Sequence, residues 1–311
     1  MSEAPLLLAF AAAAVVDTVL LAILLERRAW RGSLAPLVVV VAGALLLHAG
    51  RVVDLWLRAA QDPGDGWRLT APLLTGAGAL LIPSALLHTA LRLWDSGLQG
   101  RLRFDPRYGL CYAPLVILLG IPGKLAETPG GTLLEAVGPL LIPFAVWVSL
   151  VTLFVAAGLF ALRNGSRRVR VERFLTRASL WLGGWTLLFW TLCYLGVQRP
   201  GWREACVLIA GLGPTVLGLL FAQYVVRFHF WALVAERAAV LSAATAAVAL
   251  FHTLVLANLR PWLPFGGVGL MALEAAVILG AAGAYGPVRS ALRRQAAKLA
   301  AAQPAHSVGP V

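Results

Sequence analysis

Apolar runs of about 20 residues, divided by short arginine-bearing connections, recur along the whole chain and limit what it can fold into. A run of that length crosses a hydrocarbon layer of roughly 30 Å as an α-helix. Within lipid, only a helix or a closed barrel keeps every backbone group hydrogen-bonded. Residues 6–25 form the first run, closed by Glu26, Arg27, Arg28 and Arg31. Residues 34–57 form the second, which carries His48, Arg51 and Asp54, and 69–91 the third. Further runs cover 138–162, 178–197 and 205–226. A terminal pair, 238–257 and 268–285, is joined by a linker holding Pro261, Pro264, Gly266 and Gly267, so it reads as a hairpin. The expected fold is an all-α, polytopic integral membrane helix bundle of about nine transmembrane helices.

Residues 108–121 are the weakest of these runs: about fourteen residues, interrupted by Pro114 and closer to a re-entrant length. Charge parity favours a crossing. Without one, every later loop changes side and the six arginines of 163–177 fall outside. With nine crossings and the N-terminus outside, 19 of the 26 Lys+Arg lie in inner connections and six in outer ones. That asymmetry is the orientation signal of membrane proteins, with the C-terminus on the cytoplasmic side. Trp30, Trp67, Trp94, Trp202 and Trp262 fall at run ends, where amphipathic rings favour the headgroup region.

Composition agrees: 60% of residues are hydrophobic, 13% are charged and the mean hydropathy is +0.82, which excludes an ordinary soluble domain. The formal charge of +12 would suggest nucleic acid in a soluble protein. Here the bases lie between apolar runs, and 163–177 has too little aromatic interleaving for nucleic-acid binding, so contact with anionic headgroups at the inner face explains it better. The first residues, Met-Ser-Glu-Ala-Pro, lack a basic stretch, so 6–25 reads as a retained span and not a cleaved signal. Three cysteines without a CxxC spacing give no metal or redox motif and read as small apolar core residues, a Cys193–Cys206 pairing being the lesser alternative. The tail 300–311 reads as disordered.

The stretch Arg227-Phe-His-Phe-Trp231, the two runs after it, and Gly286-Pro-Val-Arg-Ser-Ala-Leu-Arg-Arg294 resemble the juxtamembrane part of bacterial sensor histidine kinases with multi-helix N-terminal regions. Pro83-Ser-Ala-Leu-Leu-His88 is similar to the third span of the same family. Together these cover about a third of the chain. Ala232 and Val234 stand where the family pattern carries aspartates, and Phe228 and His229 replace its Tyr and Arg. The resemblance implies a seven-span sensor-like bundle over 1–226, then a terminal hairpin and basic exit helix over 227–299. Arg227, Pro287, Arg289, Arg293 and Arg294 are the implied output residues. The residues after Leu299 leave no room for a kinase. The expectation is therefore a sensory or regulatory module in the bacterial inner membrane, acting on a separate protein partner or as a homodimer, or else a shortened form of a kinase.

Ionisable groups within spans are costly in lipid and are the candidates for function. Asp17 lies near the middle of the first run. His48 and Arg51 share a broad face of the second with Asp54. His252 and Glu274 stand at equal depth on the two arms of the hairpin. Asp17, His48, Arg51, His252 and Glu274 together suggest an outer-half polar cavity for a small ligand or for protonation. Mutual neutralisation between helices, as Asp17 with Arg51 and His252 with Glu274, is the simpler reading of the same residues. His88 and His229 carry no haem spacing, and no cofactor or metal motif is present. Trp181, Trp185 and Phe189 recur every fourth residue, as an aromatic ligand wall or, more simply, a packing face. Gly211, Gly213 and Pro214 within the seventh run predict a kink or local unwinding, a feature that transporters place at substrate sites. No hydrolase, kinase or nucleotide-binding motif occurs, so no enzymatic activity is expected.

Overall fold

The computed structural model describes residues 3–29, 34–59, 65–96, 106–120, 138–163, 169–198, 203–226, 230, 233–235 and 237–242. The helices are α1 (Glu3–Glu26), α2 (Pro36–Ala59), α3 (Asp65–Ser96), α4 (Gly138–Arg163), α5 (Val169–Gln198) and α6 (Arg203–Val225). A 3₁₀ helix, Pro106–Gly120, stands between α3 and α4. Among the described residues six helices are long and apolar enough to cross a membrane, and the chain is a multi-pass helical membrane bundle. The expected spans over 238–257 and 268–285 lie outside the described residues, as do His252, Glu274, Arg227, Pro287, Arg289, Arg293, Arg294 and the 300–311 tail.

The helix ends follow from local chemistry. α1 stops where Arg28 adopts φ 52°, a left-handed conformation that ends the helical ladder, after Arg27 N–H bonds the Ile23 carbonyl at 3.0 Å. α2 opens on Pro36, whose missing N–H costs nothing at a first helical position. Thr18, Thr75, Thr89, Thr152, Thr186 and Thr191 each return the hydroxyl to the carbonyl four residues back, which hides a polar group without a second helix.

Two compact units divide the chain, Met1–Phe230 and Trp231–Val311. In the first, each long helix packs on the next and α6 returns to α1, with α2 also touching α6. Contact pairs fix the directions. Asp17 meets His48 while Phe10 clusters with Leu55, and Phe174 meets Phe221 while Trp181 meets Gly213, so α1 runs antiparallel to α2 and α5 to α6. α2 and α3 pack almost backbone to backbone. A methyl on Gly78 would stand 2.5 Å from the Gly43 carbonyl oxygen and 2.5 Å from the Leu47 nitrogen. Large apolar side chains that face outward concentrate on the 3₁₀ helix, α4 and α5, including Leu119, Leu150 and Leu187. Lipid, not water, is the natural cover for such a surface.

The 3₁₀ helix corrects the picture of a short α-helical segment at 108–121. At about 2.0 Å per residue, its 15 residues cover about 30 Å, about a third more than an α-helix of that length. Tyr108 hydroxyl donates to Asp95 at 3.1 Å and Tyr112 hydroxyl meets His88 Nδ1 at 3.0 Å. The element therefore runs back along α3, antiparallel to it, from the α3 C-terminus.

In the second unit, residues 233–235 and 237–242 are helical, with Val234, Arg237 and Val240 buried at intervals of three. That spacing places all three on one broad helix face.

Candidate functional site

Asp17 and His48 form the polar centre of the bundle. His48 Nδ1 lies 2.7 Å from Asp17 Oδ2, and both side chains are fully buried. With Asp17 ionised its carboxylate only accepts, so the shared hydrogen is then on Nδ1 and the imidazole donates. Each residue stands near the middle of its helix, at the half-way level of α1 and α2.

α6 closes the site from the third side. Gly211 is where His48 packs: a Cβ there would stand 3.0 Å from His48 Nε2 and 3.1 Å from Leu47 Cδ2. One turn on, Thr215 lies beside the Asp17 carboxylate. Unlike the six threonines that bond their own helix, the buried Thr215 Oγ1 bonds no carbonyl of its helix and has the Asp17 carboxylate within reach. Asp17 Oδ1 and His48 Nε2 are buried without a hydrogen-bond partner. Gly218, a further turn along, seats Val41 and Leu20. The face of α6 made by Gly211, Thr215 and Gly218 thus fits the groove between α1 and α2. Its three polar neighbours, Asp17 Oδ1, His48 Nε2 and Thr215 Oγ1, can each take one more hydrogen-bonding contact.

Arg51 departs from the expected neutralisation of Asp17. Its guanidinium bonds Asp54 Oδ2 at 3.1 Å and lies 5.7 Å from the centre of the Phe10 ring. The physical reason is reach along one helix: Asp54 is three residues on and shares the face of Arg51, whereas His48 already fills the Asp17 level.

Pro214 does not unwind its helix. α6 is continuous through it, and the two glycines before it serve as packing notches. Trp185 fills the space beside Gly213, and Trp181 Nε1 donates to the Gly213 carbonyl at 3.0 Å. The rings of Trp181 and Trp185 stack with centroids 6.0 Å apart, so the aromatic face of the sixth run packs on α6. On α4, Ser149 accepts from Trp190 Nε1 at 2.8 Å while donating to the Ala145 carbonyl.

A second polar cluster lies toward the end of α3. His88 stacks on Tyr108 at 4.8 Å, edges Tyr112 at 5.8 Å and takes the hydroxyl contact described above. Arg92 is buried one turn away. Sequence reasoning set His88 apart but missed both tyrosines, because a 3₁₀ helix folds them back onto α3. Cys111, Cys193 and Cys206 are free thiols, so Cys193 and Cys206 are not bonded to each other. Among the described residues no group of three His, Cys, Asp or Glu side chains is placed to hold a metal ion. Comparison with protein families, with curated proteins and with solved structures finds no match to this chain.

Proposed function

We propose that the chain is a membrane-embedded sensory or regulatory module of the bacterial inner membrane that relays a signal read within its bundle to a partner. The observation that carries this reading is the contact of a buried Asp17–His48 pair with α6, the helix that leads directly into residue 227. There the resemblance to sensor histidine kinases begins. Buried polar groups at mid-depth in a membrane bundle are expensive, and they suit a part that changes state more than one that only holds shape. A nine-span topology, with the N-terminus outside and the C-terminus in the cytoplasm, fits the arginine distribution and the antiparallel course of the 3₁₀ helix. Anionic headgroups at the inner face are the implied lipid partners.

Isolation with native lipid and partners retained, followed by identification of the co-isolating chains, tests the reading. A stoichiometric histidine kinase or response regulator, whose phosphorylation changes with Asp17→Asn, supports it. A stable assembly with unrelated subunits, indifferent to that substitution, defeats it in favour of a structural subunit. The pairing of Arg51 with Asp54 along one helix is the observation that favours that second reading. A permease-like role has less support, since α6 passes through Pro214 unbroken.

A further inference from the structure

We infer that the junction of α1, α2 and α6 binds one proton, shared by Asp17 and His48, and that its loading acts on α6 through Gly211 and Thr215. This deepens the sensory reading, on which it rests for the output though not for the chemistry.

The argument starts from charge. With Nδ1–H donating to Asp17 and Nε2 bare, the pair carries one net negative charge in the middle of an apolar bundle. One more proton makes it neutral. That proton belongs to the pair and not to either residue alone. Among the described residues, the other charged side chains of the neighbouring helices stand away from the pair or are bonded elsewhere. On α1 the nearest charged side chains are Glu26, Arg27 and Arg28, at the helix end about 13 Å along the axis. On α2, Arg51 is one turn away and engaged by Asp54. On α6 the described side chains carry no charge, and the titratable ones, Cys206 and Tyr224, stand near its two ends. On α3, behind α2, His88, Arg92 and Asp95 lie toward the far end.

The two protonation states ask for different partners on α6. In the anionic state Asp17 needs a donor, and the Thr215 hydroxyl beside it is placed to be that donor. In the neutral state Nε2–H needs an acceptor, and it faces Gly211. Next to Gly211, the Ala210 carbonyl has lost its α-helical donor, because Pro214 has no N–H to give. Taking up the proton therefore moves the demand from Thr215 to the Gly211 turn, one helical turn along the same face. A shift of that kind biases α6 between two seatings in the α1–α2 groove.

The test uses the full chain in lipid nanodiscs with ¹⁵N-labelled histidine. Five histidines give signals, and His48→Gln assigns the one that matters. The signal is followed from about pH 5 to about pH 9, and the expected result is one change in which the pair takes up its proton. Asp17→Asn removes the anion and lowers the midpoint by about one unit or more. Thr215→Val takes away a group that solvates the carboxylate and raises the midpoint by about half a unit. If Asp17→Asn does not fold, Thr215→Val carries the same test. A His48 signal constant over this range, or unmoved by both substitutions, overturns the proposal. Titrating in choline chloride and in sodium chloride adds an arm: equal midpoints support a proton site, and a midpoint lowered by sodium overturns it in favour of a metal-cation site. A titrating pair without effect on partner phosphorylation leaves the proton site standing and removes the sensory reading. Partner control with a silent pair does the reverse.

Discussion

Trp181 donates its indole N–H to the Gly213 carbonyl at 3.0 Å, and Trp185, one turn further along α5, occupies the space a Gly213 side chain would need. Gly213→Ala therefore forces a methyl against a ring. It should destabilise the bundle by about 1–3 kcal/mol. Trp181→Phe, which keeps the apolar contact and removes the donor, should lose about 1 kcal/mol. Unfolding in mild detergent, followed by tryptophan emission, measures both.

The glycines of the α2–α3 seam should rank far above those that meet nothing. Gly78→Ala places its methyl against backbone atoms of Gly43 and Leu47, which cannot rotate away as a side chain can. A loss of about 2 kcal/mol or more is expected. Gly158→Ala on α4, with nothing within 4 Å, should be neutral or stabilising by up to about 1 kcal/mol. Equal melting temperatures for the two variants would contradict the seam.

Removing one member of the central pair should cost more than removing both. Asp17→Ala leaves His48 buried without its acceptor, and His48→Ala leaves a lone carboxylate at mid-depth. Each single change should destabilise by about 3–5 kcal/mol, with the double variant well short of the sum. A double-mutant cycle on unfolding free energies gives the answer, and additivity within about 0.5 kcal/mol would mean the two side chains do not act as a unit.

Thiol labelling reads the 3₁₀ helix. Cys111 and Cys206 are buried and Cys193 is half-buried, so a membrane-permeant maleimide should reach Cys193 first. Tyr112→Phe deletes the hydroxyl contact that ties this helix to His88 on α3. In a variant retaining Cys111 alone, the loss of about 1 kcal/mol should raise its labelling rate about fivefold through local opening. An unchanged rate would show that apolar packing alone seats the element.

The helical membrane architecture was legible because apolar length is a direct readout of lipid thickness. The central site was legible in part. Asp17 and His48 stood out as ionisable groups within spans, but the choice between His48 and Arg51 as the partner of Asp17 depends on interhelical register. Counting depth from the turn between α1 and α2 would have helped. Asp17 lies about 13 Å from the end of α1, His48 about 18 Å from the start of α2 and Arg51 about 22 Å, which already favours His48. Thr215 escaped notice because a mid-span threonine normally bonds its own helix; only the structure shows that this one does not. Pro214 read as a break, yet a neighbouring helix accommodates it. The tyrosines around His88 were hidden for another reason: a 3₁₀ helix has a different rise and face from the α-helix a reader assumes.

The near-contact of α2 and α3 backbones has a mechanical consequence. Sliding α3 along α2 by one residue, about 1.5 Å, would bring the Leu47 or Ile82 side chain to a level where the other helix has room for a hydrogen atom. These two helices must therefore travel as one rigid plank, whereas α6, whose groove-facing notches seat side chains and not main chain, meets no such backbone obstacle at Gly211, Gly213 and Gly218.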